Sequence, residues 1–144
     1  MNNNIPKTIL ITGATSGFGE ATAKIFNEKG WQTIITGRRA DRLEELAKEL
    51  GEKSLPLAFD ISDRRAVKSA IQNISPNFNN ISVLCNNAGL ALGLEGADNA
   101  NLDDWDQMID TNVKGLVYAT RAVLPLMVEN GEGHIINLGS VAGS

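Results

Sequence analysis

An α/β fold, a parallel sheet wound with helices on both faces, is predicted by two features of the 144-residue sequence. Short continuous apolar runs alternate with longer stretches of helical periodicity, and the apolar runs have no polar face. A strand buried on both sides needs side chains that avoid water in both directions, which is the situation in a parallel sheet. Parallel neighbours need a crossover, normally a helix, and crossovers are right-handed. The outcome is a doubly wound sheet.

Each element follows from its residues. Thr8, Ile9, Leu10, Ile11 and Thr12 predict a first strand, ended by Gly13. Phe18, Ala21, Ile25 and Phe26 recur at helical spacing and predict a helix over 17–29, broken by Gly30. Residues 32–36 predict a second strand, stopped at Gly37. Asp41 and Glu44 have the spacing of a capping box, opening a helix that Gly51 ends. Residues 54–60 predict a third strand, and 63–74 a third helix with Ala66, Val67, Ala70 and Ile71 inward. Pro76 and a run of asparagines mark a loop before a fourth strand over 81–86. Asn101 is placed to cap a long helical segment running to about Glu129, with Asp103 and Asp104 where the helix dipole favours acids. After a turn at 130–133, residues 134–138 predict a fifth strand. One domain over residues 1–144 accounts for the whole sequence, without repeats or linkers.

Composition narrows the function. The chain is 42% hydrophobic and 21% charged, with a net charge of −4. That balance fits a folded domain and gives no basic excess for nucleic acid or an anionic membrane. The one cysteine, Cys85, excludes an intrachain disulfide; lying in an apolar run without His or Cys at ligand spacing, it reads as a buried thiol, and no metal site is expected. The N-terminal residues lack the apolar segment of a signal peptide, and no 18-residue apolar stretch exists. A cytoplasmic location is expected.

The most informative segment is Thr12-Gly13-Ala14-Thr15-Ser16-Gly17-Phe18-Gly19, between the first strand and the first helix. A diphosphate needs close backbone approach, free N–H donors and the positive end of a helix. Glycine supplies the approach because it has no Cβ, and Thr15 and Ser16 add hydroxyls. The spacing is not that of a nucleoside-triphosphatase loop, because Phe18 follows Gly17 where a lysine would be needed. It also differs from the commoner dinucleotide fingerprint, reading G-x-x-x-G-x-G.

That glycine pattern resembles the motif of the short-chain dehydrogenase/reductase family. Asn86-Asn87-Ala88-Gly89, Asp60, Asn112 and Ile136-Asn137-Leu138-Gly139-Ser140 are similar to further motifs of that family, in the same order across nearly the whole sequence. The resemblance implies a Rossmann fold and a dinucleotide held by Gly13, Thr15, Ser16, Gly17, Phe18, Gly19, Asp60, Ile61, Asn87, Ala88 and Gly89. The second strand ends without the acid that binds the ribose hydroxyls of NAD. Arg38 and Arg39 follow Gly37 instead, and a guanidinium can meet a ribose 2′-phosphate in a charge-assisted fork, so NADP is the expected cofactor.

The resemblance also implies roles in catalysis. Ser140 matches the serine that holds the substrate oxygen, and Asn112 the asparagine that orders a proton-relay water. The family's acid/base tyrosine, with a lysine four residues later, belongs a little over a dozen residues beyond Ser140. The sequence ends at Ser144; the lone tyrosine, Tyr118, has Ala122 four residues on and precedes the fifth strand, so it is not assigned, and neither is His134. The domain is therefore expected to be incomplete at its C-terminus, truncated after the fifth strand, and the 144-residue chain inactive by itself. Residues 87–93, 104–105, 108–112 and 139–144 are similar to the NADP-dependent 3-hydroxy acid (serine-type) dehydrogenases of the family. They imply a small alcohol or carbonyl substrate such as serine. The alternative is a catalytically inactive nucleotide-binding fragment. The full-length form is expected to be a homo-oligomer, a dimer or tetramer.

Overall fold

The computed structural model describes residues 5–93 and 95–140. It contains one parallel five-stranded sheet in the order β3-β2-β1-β4-β5, with β1 Thr8–Ile11, β2 Gln32–Gly37, β3 Ser54–Ala58, β4 Ile81–Asn86 and β5 His134–Asn137. The helices are α1 Gly17–Glu28, α2 Ala40–Leu50, α3 Arg64–Gln72, α4 Leu102–Ile109 and α5 Gly115–Asn130. A 3-10 turn, Pro76–Phe78, precedes β4, and a π turn, Asp110–Lys114, joins α4 to α5.

The continuous apolar runs become the buried centre of the sheet. All of β1 and β4 is buried, while β5 at one edge has only its two isoleucines partly covered. Alternating side chains separate two cores. Leu10, Ile34 and Leu84 face α3 and α5, meeting Val67, Ile71, Ala119, Val123 and Met127. Ile9, Ile11 and Ile35 face α1 and α2, meeting Ala23, Leu43 and Leu46. Each fully buried aliphatic side chain contributes roughly 1.5–3 kcal/mol. Phe26 closes the second core against Trp31, its ring edge-on at 5.0 Å.

Four local expectations change. The face of α1 that packs is Gly19, Ala23 and the half-buried Phe26, whereas Phe18, Ala21 and Ile25 are exposed. Glycine and alanine lie inward because α1 crosses so close to the loop after β1 that larger side chains would not fit. The Asp41/Glu44 capping box does not form: α2 begins two residues earlier, with Arg39 at the N-cap and no side-chain cap. On α3, Val67 and Ile71 are buried, but Ala66 and Ala70 only partly so. The long helical segment is interrupted by the π turn. Asp63 and Asn101 do cap their helices, accepting from the N–H groups of Arg65 and Ala66 and of Asp103. Gly51 ends α2 at φ 90°, donating to the carbonyl of Ala47. Among the described residues no helix is long and apolar enough to cross a membrane, and no group of His, Cys, Asp and Glu is placed to hold a metal ion.

Candidate functional site

The chain leaves β1 for β2 on one side and later returns to place β4 on the other. The C-terminal ends of β1 and β4 therefore diverge to opposite connections, the position at which ligands bind in open α/β sheets. Two loops meet there. The Thr12 hydroxyl accepts from the N–H groups of Asn87, at 3.0 Å, and Ala88, at 2.9 Å. The Asn87 side-chain amide donates to the carbonyl of Gly13 at 3.0 Å. Gly13 has φ 64°, in the left-handed region, and a Cβ on it would lie 2.8 Å from the Cα of Ala88. Gly19 is as constrained, since a Cβ there would be 2.6 Å from Nδ2 of Asn87. The glycine loop and the Asn-Asn-Ala-Gly segment are thus one interlocked unit. The second strand joins it: Ala14 donates to the carbonyl of Thr36 at 3.0 Å, and the Thr36 hydroxyl to that of Ile11 at 3.1 Å.

This unit leaves the start of α1 open. Ser16 stands at the N-cap, but its hydroxyl donates back to the carbonyl of Gly13 at 3.2 Å and does not cap the helix. The leading N–H groups of α1 are left without a side-chain acceptor, as an anion would require. Among the described residues nothing lies within 4 Å of where a Gly17 Cβ would project. Packing among the described residues does not require glycine at that position.

A cavity of about 220 Å³ opens above these loops. The glycine loop contributes Gly13, Thr15 and Ser16, and the end of β2 contributes Gly37, Arg38 and Arg39. Asp60 and Ile61 follow β3, and Ala88 and Gly89 follow β4. Thr36, Phe59, Leu90 and Thr111 also line it, and the sequence did not single them out. Four residues expected to bind cofactor are off the wall. Gly17 lies at the first position of α1; Gly19 and Asn87 act through the loop packing; and the Phe18 side chain, 80% exposed, projects into solvent. Ile61 has a double placement, bordering the cavity while its side chain packs under Gly115 in the core.

Asp60 is the polarised group of the site. Partial burial pushes its pKa up, but more than offsetting this are hydrogen bonds from the Ser62 hydroxyl at 2.7 Å and N–H at 2.9 Å, with the nearby positive charge of Arg38. Its carboxyl is held below the ordinary value of 3.8.

The expected catalytic positions lie farther along the same edge. Buried Asn86 donates to the Thr120 hydroxyl at 3.1 Å and to the side-chain oxygen of Asn137 at 2.9 Å, joining β4, α5 and β5. Its own side-chain oxygen is buried without a hydrogen-bond partner among the described residues. Leu138 continues the strand pairing to the Asn86 carbonyl at 3.2 Å, and Ser140 follows on the exposed surface. Asn112 lies in the π turn. Its side-chain oxygen accepts from the N–H of Leu90 and its amide donates to the carbonyl of Leu90, both at 2.8 Å. Both ends of the amide are thus engaged with the loop after β4. The amide fastens the Leu90 side of the cavity.

Thr12 is the principal residue that sequence reasoning undervalued. It stood in the motif, but its partners lie 75 and 76 positions away, and no local pattern announces them.

The comparisons with known proteins agree with this architecture. A family model described as short chain dehydrogenase matches residues 7–144. The chain is 54% identical over 136 residues to an NADP-dependent 3-hydroxy acid dehydrogenase of Salmonella typhi, with 94% of this chain and 55% of that protein covered. It is 53% identical over 135 residues to a serine 3-dehydrogenase of Rhizobium radiobacter, covering 94% of this chain and 54% of that one. A crystal structure of serine dehydrogenase from Escherichia coli superposes with a TM-score of 0.91 at 51% identity, covering 94% of this chain and 63% of that one. The closed form of a serine dehydrogenase complexed with NADP+ gives 0.92 at 51% identity, covering 94% and 55%. The chain thus spans about half the length of the curated relatives it matches. The matched family, the interlocked glycine loop and the parallel sheet agree, and the chain belongs to the short chain dehydrogenase family.

Proposed function

We propose that the protein of which this sequence is part is an oxidoreductase that moves a hydride between NADP(H) and the alcohol or carbonyl carbon of a small 3-hydroxy acid such as serine. The observation that carries the reading is the pair Arg38 and Arg39 on the cavity wall, where an NAD site would place an acid. The names of the similar proteins point the same way. When bound, NADP(H) supplies or accepts the hydride. The glycine loop and the start of α1 hold the diphosphate, Arg38 and Arg39 the 2′-phosphate, and Asp60 with Ile61 the adenine side. Ser140 holds the substrate oxygen. Asn112, gripping the loop at Leu90, orders the proton-relay water.

The test is direct titration with both nucleotides. Arg38→Asp should weaken NADPH at least tenfold while leaving NADH nearly unchanged. Equal losses would mean that Arg38 does not read the 2′-phosphate. Failure of the full-length protein to turn over serine or any other small 3-hydroxy acid with NADP(H) would remove the substrate assignment.

The second reading concerns residues 1–144 alone: a nucleotide-binding unit without turnover. What favours it is that Ser140 and Asn112 are the only matched catalytic positions in the sequence. The unit should bind NADPH and reduce no carbonyl; measurable turnover by the isolated chain would dismiss it.

A homo-oligomeric full-length protein, dimer or tetramer, belongs to the same proposal. Trp105, Ile109, Val113, Val117, Leu124 and Val128 form an exposed apolar stripe along α4, the π turn and α5. A patch of this kind marks an association surface. A monomer in sedimentation equilibrium at micromolar concentration would remove that part.

A further inference from the structure

A larger cavity, of about 540 Å³, lies between α3 and α5. It shares no lining residue with the nucleotide cavity. Its size falls within the range of small-molecule sites, about 300–1,000 Å³.

The residues are ordered along it. Arg64, Lys68 and Ile71 lie on one face of α3, and Tyr118, Arg121 and Leu126 on one face of α5. Both helices cover the same face of the parallel sheet, so they run side by side in one direction. Gly115 packs on Ile61 and sets their relative level. Arg64 and Lys68 therefore lie level with Tyr118 and Arg121, while Ile71 lies level with Leu126. The cavity is cationic at one end; at the other Ile71, Ile74, Pro125 and Leu126 give it apolar surface, with the uncharged Gln72 and Asn79 beside them.

The cationic end is not neutralised. Among the described residues no acidic one lines the cavity. Among the described residues the ion pairs are Lys24 with Glu20 and Glu49, and Lys114 with Asp110, so Arg64, Lys68 and Arg121 take part in none. In a chain of net charge −4, an acid-free group of three cations is not explained by average composition. Helix stability does not explain it either, because Arg64 begins α3, where the helix dipole disfavours positive charge. The apolar end includes Ile71, only 5% exposed and part of the core, so its surface is fixed by the fold.

We propose that this cavity is a second binding site, for a small amphipathic anion. Its phosphate or carboxylate head meets Arg64, Lys68 and Arg121, and its apolar body lies along Ile71 and Leu126. The Tyr118 hydroxyl is available at the headgroup end.

The test is calorimetric titration of the full-length protein with octyl phosphate, octanoate and octanol, with and without saturating NADPH. At least one of the two anions should bind tenfold or more tightly than octanol, and NADPH should not displace it. The tighter anion identifies the headgroup. The Lys68→Glu, Arg121→Glu double variant should lose tenfold or more in anion affinity while binding NADPH as the parent does. The single variants Lys68→Ala and Arg121→Ala, at exposed positions, should each lose a smaller part and serve if the double variant does not fold. Octanol binding as tightly as both anions, displacement by NADPH, no effect of the charge changes, or no anion binding at millimolar concentration would each overturn the proposal.

Discussion

The ends of β1 and β5 are built differently, although both carry residues matched to the family's site. At the end of β1 every constraint is internal. The strand is fully buried, and the Thr12 hydroxyl, the Gly13 carbonyl and the Asn87 amide close a ring of hydrogen bonds between two loops. At the end of β5 the strand is an edge among the described residues, half exposed, and Asn137 is its principal side-chain tie to β4. A strand flanked on both sides inherits rigidity from its neighbours, whereas an edge strand has one neighbour. The two loops proposed to hold the nucleotide are therefore tied to each other by bonds among these residues, and the Ser140 end is less constrained.

The comparison can be broken most forcefully at the glycines. Gly13→Val should destabilise folding by about 3 kcal/mol, combining left-handed strain with overpacking against Ala88. Gly17→Ala should change stability by less than about 0.5 kcal/mol, because the added methyl meets nothing among the described residues. It should nevertheless weaken NADPH at least tenfold, by occupying the space that the phosphates need. Urea unfolding and nucleotide titration of both variants separate the roles. A large loss of stability in Gly17→Ala would mean that this glycine serves the fold.

A smaller effect tests the two strand ends directly. Thr12→Val removes the acceptor for two N–H groups and should cost about 2 kcal/mol, with Thr12→Ser restoring most of it. Asn137→Ala, at a more exposed pair, should cost about 1 kcal/mol or less. Equal losses in thermal or urea unfolding would show that the edge is held as firmly as the centre.

The smallest effect is a titration. The folded pKa of Asp60 is depressed, so its contribution to stability is complete above the ordinary 3.8 and is lost as pH falls through the lower folded value. Ser62→Ala should raise that folded value toward 3.8, read from the Asp60 carboxyl resonance. An unchanged titration would mean that burial and Arg38, not Ser62, set its ionisation.

Much of the fold could be read beforehand because its signals are local. Ile9–Ile11 and Val83–Cys85 are continuous apolar runs, and such runs have few places to go except the inside of a parallel sheet. Asp63 and Asn101 announce helix starts through their own backbone chemistry. The helix faces were less legible. Phe18 and Ile25 look inward by hydrophobicity, yet the close crossing of α1 over the β1 loop gives that place to Gly19 and Ala23. The π turn at 110–114 was not legible either: nothing in its residues specifies the shift, and it accompanies the grip of Asn112 on Leu90, 22 positions away.

The sequence by itself determined the alternating α/β order, the glycine loop, the missing acid after β2 and the arginines that replace it. These depend on residue type and short spacing, which a linear chain carries directly. Only the tertiary structure decided that Thr12 binds the loop after β4, that Asn112 spends its amide on Leu90, and that α3 and α5 enclose a cationic cavity. Those outcomes depend on which distant segments the sheet order brings together, and hydrogen bonds and cavities exist only once it has done so.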